Sequence, residues 1–195
     1  MKTALGIIAT VMAFVSYIPY IRNMLSGKTK PHAFSWLVWG TLTAIAFVGQ
    51  VSEGAGPGAW VTGFTACVSF FIFVTALRTG EKDIAKSDWL SLVGAGVAML
   101  LWWATSDPLI AVILITLIDA LGFFPTFRKS YHKPYEETAI TFAISGLKFV
   151  IAIIALENLT PTTWLYPASL VLMNGIFVVM LLIRRKQVGY VEVQL

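Results

Sequence analysis

The sequence predicts an all-α integral membrane protein: seven transmembrane helices, arranged as two parallel three-helix bundles joined by a linker helix. Three observations predict it. Hydrophobic residues make up 57% of the 195 positions and charged residues only 12%, about half the ~25% charge of a soluble domain. Apolar runs of about 20 residues, the length that crosses a bilayer, recur along the whole chain with short loops between them. The basic residues gather in alternate loops. With a mean hydropathy of +0.79, a soluble globule of this size cannot cover its apolar surface. The same composition excludes a disordered chain, a disulfide scaffold and a coiled coil. The one cysteine, Cys67, rules out an intrachain disulfide.

The expected spans are Thr3–Ile21, Phe34–Val51, Ala59–Leu77, Trp89–Thr105, Pro108–Phe127, Thr138–Leu156 and Thr162–Ile183. The first is preceded by Lys2 like a secretory leader. Its run continues too far and meets Pro19-Tyr20 instead of a small-residue cleavage site, so it reads as a helix that stays. Between the second and third spans lies a small Gly-rich hairpin, Glu53–Gly58. Charge placement fixes the count. Arg22, Lys28 and Lys30 fall in the first loop, Arg78, Lys82 and Lys86 in the third, Arg128, Lys129 and Lys133 in the fifth, and Arg184, Arg185 and Lys186 in the tail. All lie on one side if seven helices alternate, against Lys2 alone on the other. That is the positive-inside pattern, with the N-terminus outside and the C-terminus cytoplasmic, and it fits a bacterial inner membrane. Trp60, Trp164 and Trp102-Trp103 mark an aromatic belt at the outer surface.

The chain repeats itself. A fixed shift pairs Thr10 with Thr116, Pro19 with Pro125, Arg22 with Arg128, Gly40 with Gly146 and Ile45 with Ile151. A slightly shorter shift pairs Trp60 with Trp164 and Phe73 with Phe177. The expected units within this single membrane domain, residues 1–195, are therefore a first bundle at 1–80, a linker helix at 81–106, and a second bundle with a short tail at 107–195. Three helices reverse the chain and the linker reverses it again, so the bundles point the same way, as in parallel-repeat transporters.

With Tyr17-Ile18-Pro19-Tyr20-Ile21-Arg22 and Phe123-Phe124-Pro125-Thr126-Phe127-Arg128 at matching depths, the chain resembles the SWEET sugar transporters and their PQ-loop relatives. Those proteins share the plan of two three-helix bundles around a linker. Both prolines stand in the family position, while Tyr20 and Thr126 stand where PQ-loop proteins carry glutamine. Nicotinamide-riboside transporters of the Pnu type are similar in plan. The resemblance implies a carrier for a sugar or for a vitamin- or nucleoside-like solute.

Each proline removes a backbone hydrogen bond and releases the carbonyl four residues earlier, at Val15 and Leu121. A released carbonyl in lipid is costly unless it faces protein or water. Interior-facing kinks at Pro19 and Pro125 would form a cytoplasmic gate; otherwise these are helix-end prolines near the interface. Three strongly polar residues then share the membrane midplane: Asp119 in the fifth helix, Lys148 in the sixth and Asn174 in the seventh. Each charge costs about 2.5–3.5 kcal/mol there on insertion scales. Opposite charges at one depth on successive helices are expected to face each other, and breaking one partner alone should then cost more than removing both. Their counterparts in the first bundle are Ala13, Leu42 and Phe70, so the symmetry breaks at the centre. The expected substrate site has Asp119, Lys148 and Asn174 on one wall and Trp36, Trp39, Thr43 and Ser69 facing them. The other reading is an ion pair that locks helix five to helix six. PQ-loop carriers that couple to protons are similar in having an aspartate in the fifth helix, which implies proton exchange at Asp119.

Other signals are set aside. Ser26-Gly27-Lys28-Thr29 imitates a phosphate loop, but Arg22 stands where its glycine belongs. His32 and His132 are a poor metal site, so no metal or cofactor is expected. Asn158-Leu159-Thr160 is a glycosylation sequon with meaning only in a eukaryotic secretory pathway. Cys67 reads as a small packing residue. An enzyme would need paired carboxylates, a metal cluster or a nucleophile with its base near an interface, and the sequence offers none. The expected function is a transporter of a small polar metabolite, with the bilayer and that solute as partners, no nucleic acid, and a homo-oligomer open. The alternatives are a receptor or sorting protein on the same fold, or a lipid translocase.

Overall fold

The computed structural model describes residues 1–27, 31, 33–79, 86–105, 107–132, 134–135 and 138–189. Among them the chain forms seven α-helices: α1 (Lys2–Leu25), α2 (Ala33–Ser52), α3 (Trp60–Thr79), α4 (Lys86–Thr105), α5 (Pro108–His132), α6 (Ala139–Ala155) and α7 (Pro161–Val188). A 3₁₀ turn, Gly56–Ala59, precedes α3. The helices in the Lys2–Leu25, Ser35–Ser52, Gly56–Thr79 and Pro161–Val188 segments are long and apolar enough to cross a membrane, while the apolar stretches Pro108–Phe123 and Ala139–Ala155 are shorter. The protein is thus an all-helical membrane protein. Lys28, Lys30, His32, Lys82 and Lys133 lie outside the described residues, as do the side chains of Trp102, Pro125, Arg128 and Lys129.

The helices are inside-out relative to those of a soluble protein. On α1 the buried stripe is Gly6, Ala9, Ala13, Ser16 and Tyr17, with a period of three to four residues. Ile7, Val11, Phe14, Val15 and Ile18 are exposed. Small residues let helix backbones approach in lipid, and large apolar ones meet the acyl chains. The α6 face that meets α1 buries Lys148, Phe149, Ala152 and Ala155. Cys67, expected to pack inside, is exposed on α3. Trp60, Trp103 and Trp164 are exposed on the surface of the bundle.

Packing follows a regular order. α3 lies against both α1 and α2, and α7 lies against both α5 and α6. Across the middle, α1 packs on α6 and α2 packs on α5. α4 lies against α5 and α2.

The outer ends are fastened across that middle. Gly54 and Gly56 adopt φ of +65° and +62° to fold the hairpin back. The turn then wedges between α1 and α6: a Cβ on Gly6 would lie 2.6 Å from the Pro57 carbonyl oxygen, and one on Gly58 2.6 Å from Leu156. The Glu157 amide donates to the Ala55 carbonyl at 3.0 Å, and Asn158 Nδ2 donates to the Glu53 carbonyl at 3.1 Å. Lys2 Nζ donates to the carbonyls of Leu156 and Glu157.

α1 continues through Pro19 to Leu25. Pro19 is half-buried, whereas the side chains of Val15 and Leu121 are exposed. At this depth the interior is filled by rings. Tyr17, Trp36, Trp39, Phe123, Phe127, Phe177 and Phe142 follow one another with centroids 4.4–6.4 Å apart.

Candidate functional site

Asp119, Lys148, Asn174 and Ser69 are all buried, the first two at 1% exposure. The expected contact between Asp119 and Lys148 does not form: among the described residues neither makes an ion pair. Helices α5 and α6 are successive in sequence but are not packed side by side, because α7 lies against both. The polar centre is split into two clusters.

The first cluster joins α5, α7 and α2. The Tyr166 hydroxyl stands in hydrogen-bonding position to the Asp119 carboxyl group. It also lies 3.2 Å from Thr43 Oγ1. Thr43 in turn donates to the Trp39 carbonyl at 2.6 Å, the usual i−4 bond of a helical threonine. Asp119 Oδ2 is buried with no hydrogen-bond partner among the described residues. Trp39 itself is half-buried, its ring 5.4 Å from Trp36 and 6.0 Å from Phe123.

The second cluster joins α6, α3 and α1. Lys148 Nζ donates to Thr65 Oγ1 at 3.4 Å and sits over the Tyr17 ring, 4.7 Å from its centroid. The Phe149 ring is 5.0 Å away. Tyr17 directs its hydroxyl at Thr65 and Ser69. Ser69 donates to the Thr65 carbonyl at 2.9 Å. The stem of Lys148 is accommodated because α1 presents alanine and serine on this face.

Asn174 belongs to neither cluster. Its Nδ2 donates to the Leu170 carbonyl at 2.7 Å, and its Cβ lies opposite Gly146 of α6. The single wall of three polar residues is therefore not present: Asp119 faces α7 and α2, Lys148 faces α3 and α1, and Asn174 closes the α6–α7 seam. Trp36 donates its Nε1–H to the Tyr20 hydroxyl at 3.1 Å, which ties α2 to α1.

Several buried polar residues escaped sequence reading, among them Thr65 of the Lys148 cluster, Tyr166 and Gln50. Tyr166 resembles one more aromatic of the outer belt, two residues beyond Trp164. Its place on the 166, 170, 174 stripe, one helical face, was the available signal. Gln50 looks like a helix-end residue, yet it is fully buried and its Nε2 donates to the Thr163 carbonyl at 2.8 Å. A surface groove of about 330 Å³, lined by Tyr131, Ile176, Met180 and Arg184 among others, lies at the inner end of α7 away from both clusters.

No family model, curated protein or solved structure matches the chain. The functional reading therefore rests on the geometry.

Proposed function

We propose that the protein is a carrier that moves a small polar solute across the membrane by alternating access. The observation that carries this reading is the pair of fully buried, mutually unpaired ionisable groups, Asp119 and Lys148, at the centre of a membrane helix bundle. Ionisable residues at that depth are expensive, and they ordinarily mark a solute or ion path. The packing order supports the rest. α1, α3 and α2 stand to one another as α5, α7 and α6 do, and the α1–α6 seam answers the α5–α2 seam. That order is what two parallel three-helix bundles joined by a linker would give, with residues 1–80 and 107–195 as the rocking bodies and α4 as the connection.

On this reading the conformation is occluded. The outer ends are clasped by Lys2, Ala55 and Glu157, and the inner half is plugged by Trp39 against Phe123. Rocking would open either closure while keeping the other shut, so that Asp119 and Lys148 meet each side in turn. Bending at Pro19 and at position 125 would serve the inner opening.

The test is uptake into proteoliposomes. Asp119→Asn should lower the initial rate about tenfold or more, since a bond to a charged group is worth about 1.5–3 kcal/mol. A folded Asp119→Asn protein that transports at the wild-type rate would remove Asp119 from the site.

A further inference from the structure

We infer that the cargo is an extended zwitterion, whose anionic end is taken by Lys148 and whose cationic end is taken by Asp119. This rests on the carrier reading and names its substrate class.

The argument begins from what each charge lacks. Lys148 has three donors, one hydrogen bond to Thr65, and otherwise only aromatic faces. Thr65 and Ser69 both give their hydroxyl protons to backbone carbonyls, and the Tyr17 hydroxyl lies beside them. An ammonium group with donors to spare suits a carboxylate or another anion. Asp119 has one neighbour donor, Tyr166, and leaves Oδ2 buried and unpartnered among the described residues. An acceptor of that kind suits an amine or guanidine group.

The two ends cannot serve each other. α7 stands between α5 and α6, and each charge is turned toward a different seam. Tyr17 of one cluster and Tyr166 of the other sit within electrostatic reach of one another. A cargo with one charge would pair with one of the two groups and leave the other buried without a partner, and a neutral polyol would bring a charge to neither. A neutral cargo with separated charges compensates both at once, and adds no net charge to the crossing. The two groups stand on different seams, so a cargo that meets both must be longer than an α-amino acid, whose charges sit on adjacent groups.

The experiment uses the full chain in lipid nanodiscs, with ligand affinity read by thermal shift and uptake read in proteoliposomes. The probes are glycine, γ-aminobutyrate and ε-aminocaproate, the half-molecules butylamine and butyrate, and glucose and uridine as neutral solutes. The longer zwitterions should bind about tenfold or more tightly than glycine or either half-molecule, the fold-change of one lost charged contact. Lys148→Arg should keep this preference and Lys148→Met should abolish it. The ligand series on the wild type stands even where Lys148→Met fails to fold. Glucose or uridine binding tighter than every zwitterion overturns the inference and leaves the carrier reading intact. Equal affinity for butyrate, butylamine and the longer zwitterions overturns it too. Uptake of no probe by a protein that melts cooperatively overturns both readings.

Discussion

Asp119 has one packed side-chain neighbour that can donate to it, Tyr166, while the charge at its own depth, Lys148, is turned away. Two double-mutant cycles separate these relations. The first pairs Asp119→Asn with Tyr166→Phe, and the second pairs Asp119→Asn with Lys148→Met. Tyr166→Phe removes a hydroxyl that contacts both Asp119 and Thr43, and leaves the ring in place. In water a hydrogen bond to a charged group is worth about 1.5–3 kcal/mol. In lipid, measured interhelical bonds average only about 0.6 kcal/mol, because the unfolded reference also finds partners. The coupling between Asp119 and Tyr166 should therefore be about 1 kcal/mol. The coupling between Asp119 and Lys148 should fall within about 0.5 kcal/mol of zero, as for residues that share no partner. The assay is reversible unfolding in mixed micelles titrated with denaturing detergent, followed by tryptophan fluorescence. A coupling above about 1 kcal/mol for Asp119 with Lys148, and none for Asp119 with Tyr166, would refute the division into two clusters.

The glycines give opposite signs. Gly6→Ala should destabilise by about 1–3 kcal/mol, since its new Cβ would stand 2.6 Å from a backbone oxygen. Gly175→Ala, on an exposed helical position with nothing within 4 Å, should stabilise by about 0.5–1 kcal/mol; thermal unfolding in detergent reads both. Orientation is tested on a Cys67→Ala background with single cysteines. Asn158→Cys should react with an impermeant thiol reagent from the outer side and Gln187→Cys only from the cytoplasmic side. Reaction of both from one side would overturn the seven-span alternation.

Much of the fold was legible because a bilayer imposes its own length on the sequence. Each expected span agrees with a helix to within a few residues, since an apolar run must end where charge begins. α1 and α7 run beyond their expected inner ends, to Leu25 and Val188, because a helix does not stop at the hydrocarbon boundary when the interface tolerates it. Inward placement was legible too: Asp119, Lys148, Asn174 and Ser69 are all buried. Azimuth was not. Two residues at one depth on successive helices meet only if those helices are neighbours, and the insertion of α7 between α5 and α6 is a long-range fact with no local signature. The same blindness hid Tyr166, whose role depends on the α2–α5–α7 junction and not on its own helix.

On the two-bundle reading, the unequal residues at matched positions have a packing cause as well as a chemical one. Ala13 and Leu42, the counterparts of Asp119 and Lys148, are both fully buried. Where α5 places an acid against α2 and α7, α1 places the methyl group of Ala13. The small residues of α1 leave room beside α6, and Lys148 uses that room to reach Thr65 of α3 and Tyr17 of α1. On the opposite seam Leu42 of α2 packs in one apolar cluster with Val112 and Ile115 of α5, so Leu42 sends no charge across in return. A two-fold frame with equal centres would present a cargo with the same chemistry twice. This frame presents a cation on one seam and an acid on the other. On the carrier reading proposed above, a cargo matched to it has different ends and enters in one orientation.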